Sequence, residues 1–256
     1  MMNLSQTDLE ALKRAKALLE NPGLAIQIAN YVGVPVETLI KNLPSKISHK
    51  FNDIIRLALT KAFDAAAFTM EGNTRKESSD RWHKVSVAIT GGIGGFFGLA
   101  ALSVELPVST TLMLRSIIDI ARSEGEEIQS TETKLACLEV FALGGPKPDD
   151  DAAEFAYYGV RAGLATSAKK LAEQVISQKG APIISGFINA VAQRFGQNII
   201  QKLSAQAVPL IGGAGGAAIN MIFMDHYQNM ARGHFIVRRL ERIYGQQRVR
   251  EVYDSI

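Results

Sequence analysis

The chain has 256 residues, of which 47% are hydrophobic and 21% are charged, so it has enough apolar surface to bury a core and is not disordered. Its 28 Lys and Arg against 25 Asp and Glu give a formal net charge of +3, too small a balance to indicate a nucleic-acid partner. A single cysteine, Cys137, excludes an internal disulfide framework and favours a reducing compartment.

The first twenty residues predict a capped amphipathic helix. Charged side chains interrupt residues 1–20 where a secretory signal would need an apolar run, so we expect no signal peptide and a cytoplasmic location. Thr7 and Glu10 have capping-box spacing, and Leu12 and Leu19 share one face. The helix is therefore expected to begin near Thr7.

Residues 24–79 continue in a helical pattern, which Pro35 and Pro44 divide. Residues 72–80 contain no apolar side chain and are the best linker candidate. The sequence thus predicts an N-terminal helical subdomain over residues 1–80 and a glycine-rich helical core with a basic C-terminal helix over residues 81–256, together one domain. Alternating β-branched runs are scarce, so the fold class is all-α.

Two later stretches carry no charge, over residues 85–104 and residues 203–224. Twenty helical residues reach about 30 Å, the thickness of a hydrocarbon core. Small and polar residues dilute both stretches and bring their insertion energy close to neutral. We therefore interpret them as marginal, conditionally inserting segments.

A GGxGG string occurs once in each stretch, although each glycine within a helix costs about 1 kcal/mol relative to alanine. The small-xxx-small spacing favours close helix packing, and the predicted architecture is a helical bundle with two glycine-rich apolar hairpins packed together. A surface loop is an alternative, and a phosphate-binding loop is disfavoured, because residues 213–218 match only the loose GxGxxA form and no strand pattern precedes them. The packing glycines are Gly91, Gly94, Gly95, Gly98, Gly212, Gly213 and Gly216.

Glu105 is the first charge after the earlier apolar stretch, which makes it a functional candidate. Pro107 gives a simpler interpretation, because a proline that breaks the helix would place Glu105 at the exposed tip of a hairpin. Pairing with Arg115 or a C-terminal arginine, and a catalytic or proton-relay role, are the other two alternatives.

Asp225 and His226 end the second apolar stretch, and His226 lies ten residues after Gly216, as Glu105 lies ten residues after Gly95. Packing of the two segments would bring Glu105, Asp225 and His226 together, as a hydrolase could require. No nucleophile elbow or zinc motif supports this hypothesis, and we predict neither a metal nor a cofactor.

The C-terminal segment 232–250 carries six arginines against one acid, Glu241, a local charge of +5. Interleaved apolar residues make it a basic amphipathic helix, which anionic lipid headgroups attract. A solvated helix face with Glu and Asp partners within the chain is the alternative. The arginines predicted to bind headgroups are Arg232, Arg238, Arg239 and Arg242.

The sequence resembles the EcsC family of bacterial proteins, named from a protein associated with an ABC-transporter operon. The resemblance is carried by the glycine-rich segment leading into Glu105-Leu106-Pro107, by residues 212–220, by Arg238-Arg239-Leu240-Glu241 and by Tyr244-Gly245. Family members often have Asp at the position of Glu105, and a Tyr-Gly pair near Glu124-Gly125, where this chain departs from the pattern. The resemblance implies a helical, membrane-associated or transporter-associated protein, and some members carry a peptidase label.

The leading hypothesis is a non-enzymatic accessory or lipid-interacting protein, peripheral or conditionally inserted at the inner face of the cell membrane. Its expected partners are anionic lipid headgroups and a transporter or other membrane protein, but not nucleic acid. The alternatives are a peptidase-like hydrolase that uses Glu105 with Asp225 and His226, and a soluble helical bundle that binds an apolar ligand. The sequence does not indicate which oligomeric state the protein has.

Overall fold

The computed structural model describes residues 4–20, 23–33, 49–71, 99–145, 157–166, 181–206 and 212–256. These residues form helices joined by turns and contain no strand, which confirms the all-α fold class. A short 3-10 helix, Val140–Ala142, follows the fifth α-helix. In chain order the α-helices are α1 (Gln6–Glu20), α2 (Leu24–Val32), α3 (His49–Glu71), α4 (Leu99–Ser123), α5 (Thr131–Glu139), α6 (157–166), α7 (Ala181–Gln206), α8 (Gly212–Tyr244) and α9 (Gln246–Ser255).

The N-terminal helix begins one residue earlier than predicted and has a different cap. The Ser5 hydroxyl accepts a hydrogen bond from the Asp8 backbone N–H at 3.1 Å and donates to the Asp8 carboxylate at 2.7 Å. A serine oxygen satisfies an N–H group that the first helical turn leaves without a partner. Ser5 and Asp8 have the same spacing as Thr7 and Glu10, so both pairs satisfied the sequence pattern.

The predicted hairpin tip at Glu105 and Pro107 is wrong. Helix α4 runs from Leu99 to Ser123 with Pro107 inside it. A proline within a helix removes one backbone hydrogen bond and usually kinks or breaks the helix. Here α4 continues because packing retains it: Leu106, Met113 and Ile117 on either side of the proline are buried in the core.

Two glycines that the sequence did not single out bring pairs of helices close together. At Gly233 of α8, an added Cβ atom would lie 2.6 Å from Leu19 Cγ and 3.0 Å from the Ala15 carbonyl oxygen of α1. At Gly196 of α7, it would lie 3.1 Å from Ile55 Cδ1 of α3. The crossing at Gly233 has no room for a side chain, so α1 packs directly against α8, whereas at Gly196 the Ile55 side chain would have to shift by a few tenths of an ångström.

Several predictions fall partly or wholly outside the described residues. The linker and the boundary between residues 80 and 81 lie there, as do Gly91, Gly94, Gly95 and Gly98. The second apolar stretch is described over residues 203–206 and 212–224, where it ends α7 and begins α8. Gly212, Gly213 and Gly216 are therefore helical, within the first turns of α8. Their role in helix packing stays a prediction.

Candidate functional site

Glu105 pairs with a lysine that the sequence did not single out. Its Oε1 atom lies 3.0 Å from Nζ of Lys202, which α7 carries. The lysine side chain is only 5% exposed, whereas the glutamate side chain is 32% exposed. The ammonium also lies 5.2 Å from the centroid of the Phe223 ring. The pair joins α4 and α7 beside α8, so Glu105 is neither at a helix tip nor unpaired.

The structure does not assemble the predicted hydrolase residues. Asp225 is exposed, whereas the neighbouring His226 is buried and packs against Gly144. Both ring nitrogens of His226 lack a hydrogen-bond partner among the described residues, so the Glu105 carboxylate does not bind this imidazole. Burial lowers the pKa of His226 to about 4, which keeps the ring neutral near pH 7.

Three of the four predicted headgroup arginines bind carboxylates of this chain. We call the group formed by Asp8, Glu124, Glu126, Glu132, Arg238, Arg239 and Arg242 the arginine–carboxylate cluster. At its centre the buried Glu126 carboxylate accepts hydrogen bonds from Arg238 at 2.9 and 3.1 Å and from the Thr133 hydroxyl at 3.1 Å. Arg242 also donates to Glu126. Burial raises the pKa of Glu126, but the arginines more than offset this effect and lower it overall.

The same cluster connects the two ends of the chain. Arg239 binds Glu124 at 2.8 Å and Asp8 of α1 at 3.4 Å, and the Tyr244 hydroxyl donates to Asp8 at 2.7 Å. Arg232, in contrast, binds the side-chain amide oxygens of Asn229 and Gln228 at 3.0 and 3.4 Å. These contacts match the alternative of partners within the chain, whereas headgroup binding by the arginines stays a prediction.

A second polar group lies in the core and was not predicted. The Tyr157 hydroxyl of α6 lies 3.0 Å from Nδ1 of His234 in α8, and Nε2 of that ring lies 3.7 Å from Oε2 of Glu139 in α5. Burial raises the pKa of Glu139 to about 7, although Arg161 acts in the opposite direction. Arg161 in turn binds both oxygens of Glu241, at 2.7 and 2.8 Å.

This buried group had only a weak signal in the sequence. His234 and Glu241 are seven residues apart and so lie on one face of α8. Glu241 is also the single acid in the arginine-rich segment. Glu139 and Tyr157 belong to other helices, so no spacing along the chain relates them to His234. Tyr157 and His234 are buried in the core, where the hydroxyl and the imidazole share one hydrogen bond.

Two classes of feature are absent from the described part of the chain. No three His, Cys, Asp or Glu side chains in it come together as ligands for a metal ion. None of the helices in the described ranges combines the length and the apolar character needed to cross a bilayer.

The sequence model of the EcsC protein family matches residues 6–240. The chain belongs to the EcsC protein family. This membership confirms the resemblance, and two groups of the residues that carried it occupy separate places in the described part of the fold. Glu105 lies in the pair with Lys202, whereas Arg238 and Arg239 lie in the arginine–carboxylate cluster. No curated protein and no solved structure matches the chain at a significant level.

Proposed function

We propose that this EcsC protein is a non-enzymatic accessory protein of the cytoplasmic membrane face, and that it contacts the bilayer with one end of its helical bundle. We call this the glycine-rich end: the end at which α4 and α8 begin and α7 terminates. The observation that carries the proposal is that the helices adjoining both uncharged stretches meet at this end, beside exposed apolar side chains. The family's link to a transporter operon makes a membrane transporter the proposed protein partner.

Contacts between α4 and α8 give their relative direction. Gln228 binds the Ser116 hydroxyl at 2.9 Å, and ten residues later in both segments Arg238 binds Glu126 at 2.9 Å. The two helices therefore run parallel. Leu99 precedes Ser116 by about 26 Å and Gly212 precedes Gln228 by about 24 Å along the helix axes. The starts of α4 and α8 thus lie at the same end of the bundle.

Helix α7 runs in the opposite direction to α8. Asn198 binds the Tyr227 hydroxyl at 2.8 Å, whereas Lys202, four residues later, lies over Phe223, four residues earlier in α8. The last residue of α7, Gln206, therefore also lies toward the glycine-rich end. Both uncharged stretches adjoin this end of the EcsC bundle.

Exposed apolar side chains lie close to the same end. Val104 is 70% exposed on α4, and Met221 is 66% exposed on α8. Burying apolar surface in the boundary between headgroups and acyl chains is the main driving force for peripheral binding. These two side chains would lose their contact with water if this end of the bundle entered the boundary region of a bilayer.

The arginine–carboxylate cluster lies near the other end of α8. Arg238 is 26 residues beyond Gly212, about 39 Å along the axis. Its ion pairs leave little free charge for anionic lipids. In an orientation with the glycine-rich end against the membrane, the arginines lie away from the headgroups, so the proposal departs from the predicted headgroup binding and depends on apolar surface.

Co-sedimentation with lipid vesicles tests the proposal. We expect the wild-type protein to bind vesicles and to stay bound in high salt, and the double variant Val104→Glu, Met221→Glu to lose most of this binding. Ile243→Glu is the matched control, because Ile243 is 55% exposed near the end of α8 that carries the arginine–carboxylate cluster. Equal binding by the double variant and the wild type would refute the proposed contact.

A further inference from the structure

The pair of Glu105 and Lys202 lies at the glycine-rich end and is open to the surface on one side. Glu105 follows the exposed Val104 directly and is itself one-third exposed, whereas Lys202 is enclosed behind it. A buried ion pair usually contributes little net stability compared with apolar side chains of similar volume. A contribution to folding stability therefore does little to explain why an ion pair lies at this position.

The pair has unused hydrogen-bonding capacity of both kinds. A lysine ammonium has three N–H donors, and one of them is donated to Glu105 at 3.0 Å. The carboxylate has a second oxygen that can accept. A ligand at the open side of the pair would meet one donor group, the ammonium, and one acceptor group, the carboxylate.

We infer that this site binds the headgroup of a zwitterionic phospholipid that has a primary ammonium group, such as phosphatidylethanolamine. The phosphate accepts from Lys202, and the ammonium donates to Glu105. Because the pair is neutral overall, it favours a neutral headgroup over one with a net charge. The quaternary ammonium of phosphatidylcholine has no N–H group to donate. The inference rests on the proposed function, which brings the bilayer to this end.

The test is a vesicle titration with three lipid compositions: phosphatidylcholine alone, and phosphatidylcholine mixed with an equal amount of phosphatidylethanolamine or of phosphatidylglycerol. The proteins compared are the wild type and the variants Glu105→Gln and Lys202→Met, with folding checked by circular dichroism. The control variant is Glu10→Gln, which removes an exposed pair with Lys13 of the same 3.0 Å length on α1.

For the wild type and Glu10→Gln, we expect about tenfold tighter binding to vesicles with phosphatidylethanolamine than to phosphatidylcholine alone, as one hydrogen bond to a charged group contributes. Glu105→Gln and Lys202→Met should bind vesicles with phosphatidylethanolamine no more tightly than vesicles of phosphatidylcholine alone. Phosphatidylethanolamine also changes the packing of the lipids in general. That effect would raise the binding of all four proteins alike, so a preference lost only in Glu105→Gln and Lys202→Met comes from the site.

Three results would overturn the inference. The first is an equal preference in Glu105→Gln and the wild type. The second is tightest binding to phosphatidylglycerol through Lys202, which would assign the site to phosphate alone. The third is wild-type binding to every vesicle without preference, which would leave the proposed function intact. Absence of binding to any vesicle would instead overturn the proposed function together with this inference.

Discussion

Burial raises the pKa of the Glu139 carboxyl from its ordinary value of 4.5 to about 7, and its side chain is only 12% exposed. The folded state therefore binds this proton more tightly than the unfolded chain does. The contribution of the protonated Glu139 carboxyl to the free energy of unfolding is fully present below about pH 4.5. This contribution is lost as the pH rises to about 7. At about 1.4 kcal/mol for each pH unit between the two values, the loss is about 3 kcal/mol.

Replacing Glu139 by glutamine removes the titration and preserves the shape of the side chain. We expect Glu139→Gln to match the wild type at pH 4.5 and to exceed its free energy of unfolding by about 3 kcal/mol at pH 8. For a chain of this size, the gain corresponds to an increase in Tm of about 6 °C or more.

Urea unfolding of both proteins at intervals from pH 4.5 to 8 measures the difference directly. Glu251→Gln is the control, because Glu251 is half exposed on α9 and its curve should run parallel to that of the wild type. A difference between Glu139→Gln and the wild type that does not change with pH would refute the reasoning.

Three further predictions concern the packing and the charges. Gly233→Ala should lower the free energy of unfolding by about 1–3 kcal/mol in thermal melts, because its Cβ would lie 2.6 Å from Leu19 Cγ, whereas Gly159→Ala, with no atom within 4 Å, should be neutral or slightly stabilising. Glu126→Gln should lower the free energy of unfolding at pH 7 by about 3 kcal/mol in urea, because two arginines lose a buried partner; an unchanged midpoint would contradict the structural role of the cluster. Burial raises the pKa of the Cys137 thiol, so it should react with a thiol reagent only after unfolding; rapid reaction of the folded protein would contradict its placement.

The helices themselves were largely predictable, because their apolar positions repeat with helical spacing. The family was also predictable from the sequence, because the residues around Glu105 and Arg238 are, in combination, specific for the EcsC family. The break at Pro107 was predicted wrongly, because a proline acts locally whereas the burial of Leu106, Met113 and Ile117 on both sides of it is a property of the folded bundle.

The partners of the charged residues were less predictable. Lys202 is 97 residues from Glu105, and Glu126 is 112 residues from Arg238. No periodicity connects such pairs, so a basic helical face read from the sequence fits lipid headgroups and internal carboxylates equally well. The distinction depends on the parallel arrangement of α4 and α8, which brings the carboxylates after α4 beside the arginines.

The most direct test of the central claim is the depth of single labelled positions in the membrane. Because Cys137 is buried, a nitroxide label attached to Val104→Cys or Ile243→Cys reports on one site. With vesicles present, we expect the label at position 104 to become accessible to oxygen and protected from a water-soluble relaxation agent, whereas the label at 243 stays accessible to water. Protection of 243 with 104 left in water would contradict the proposed orientation.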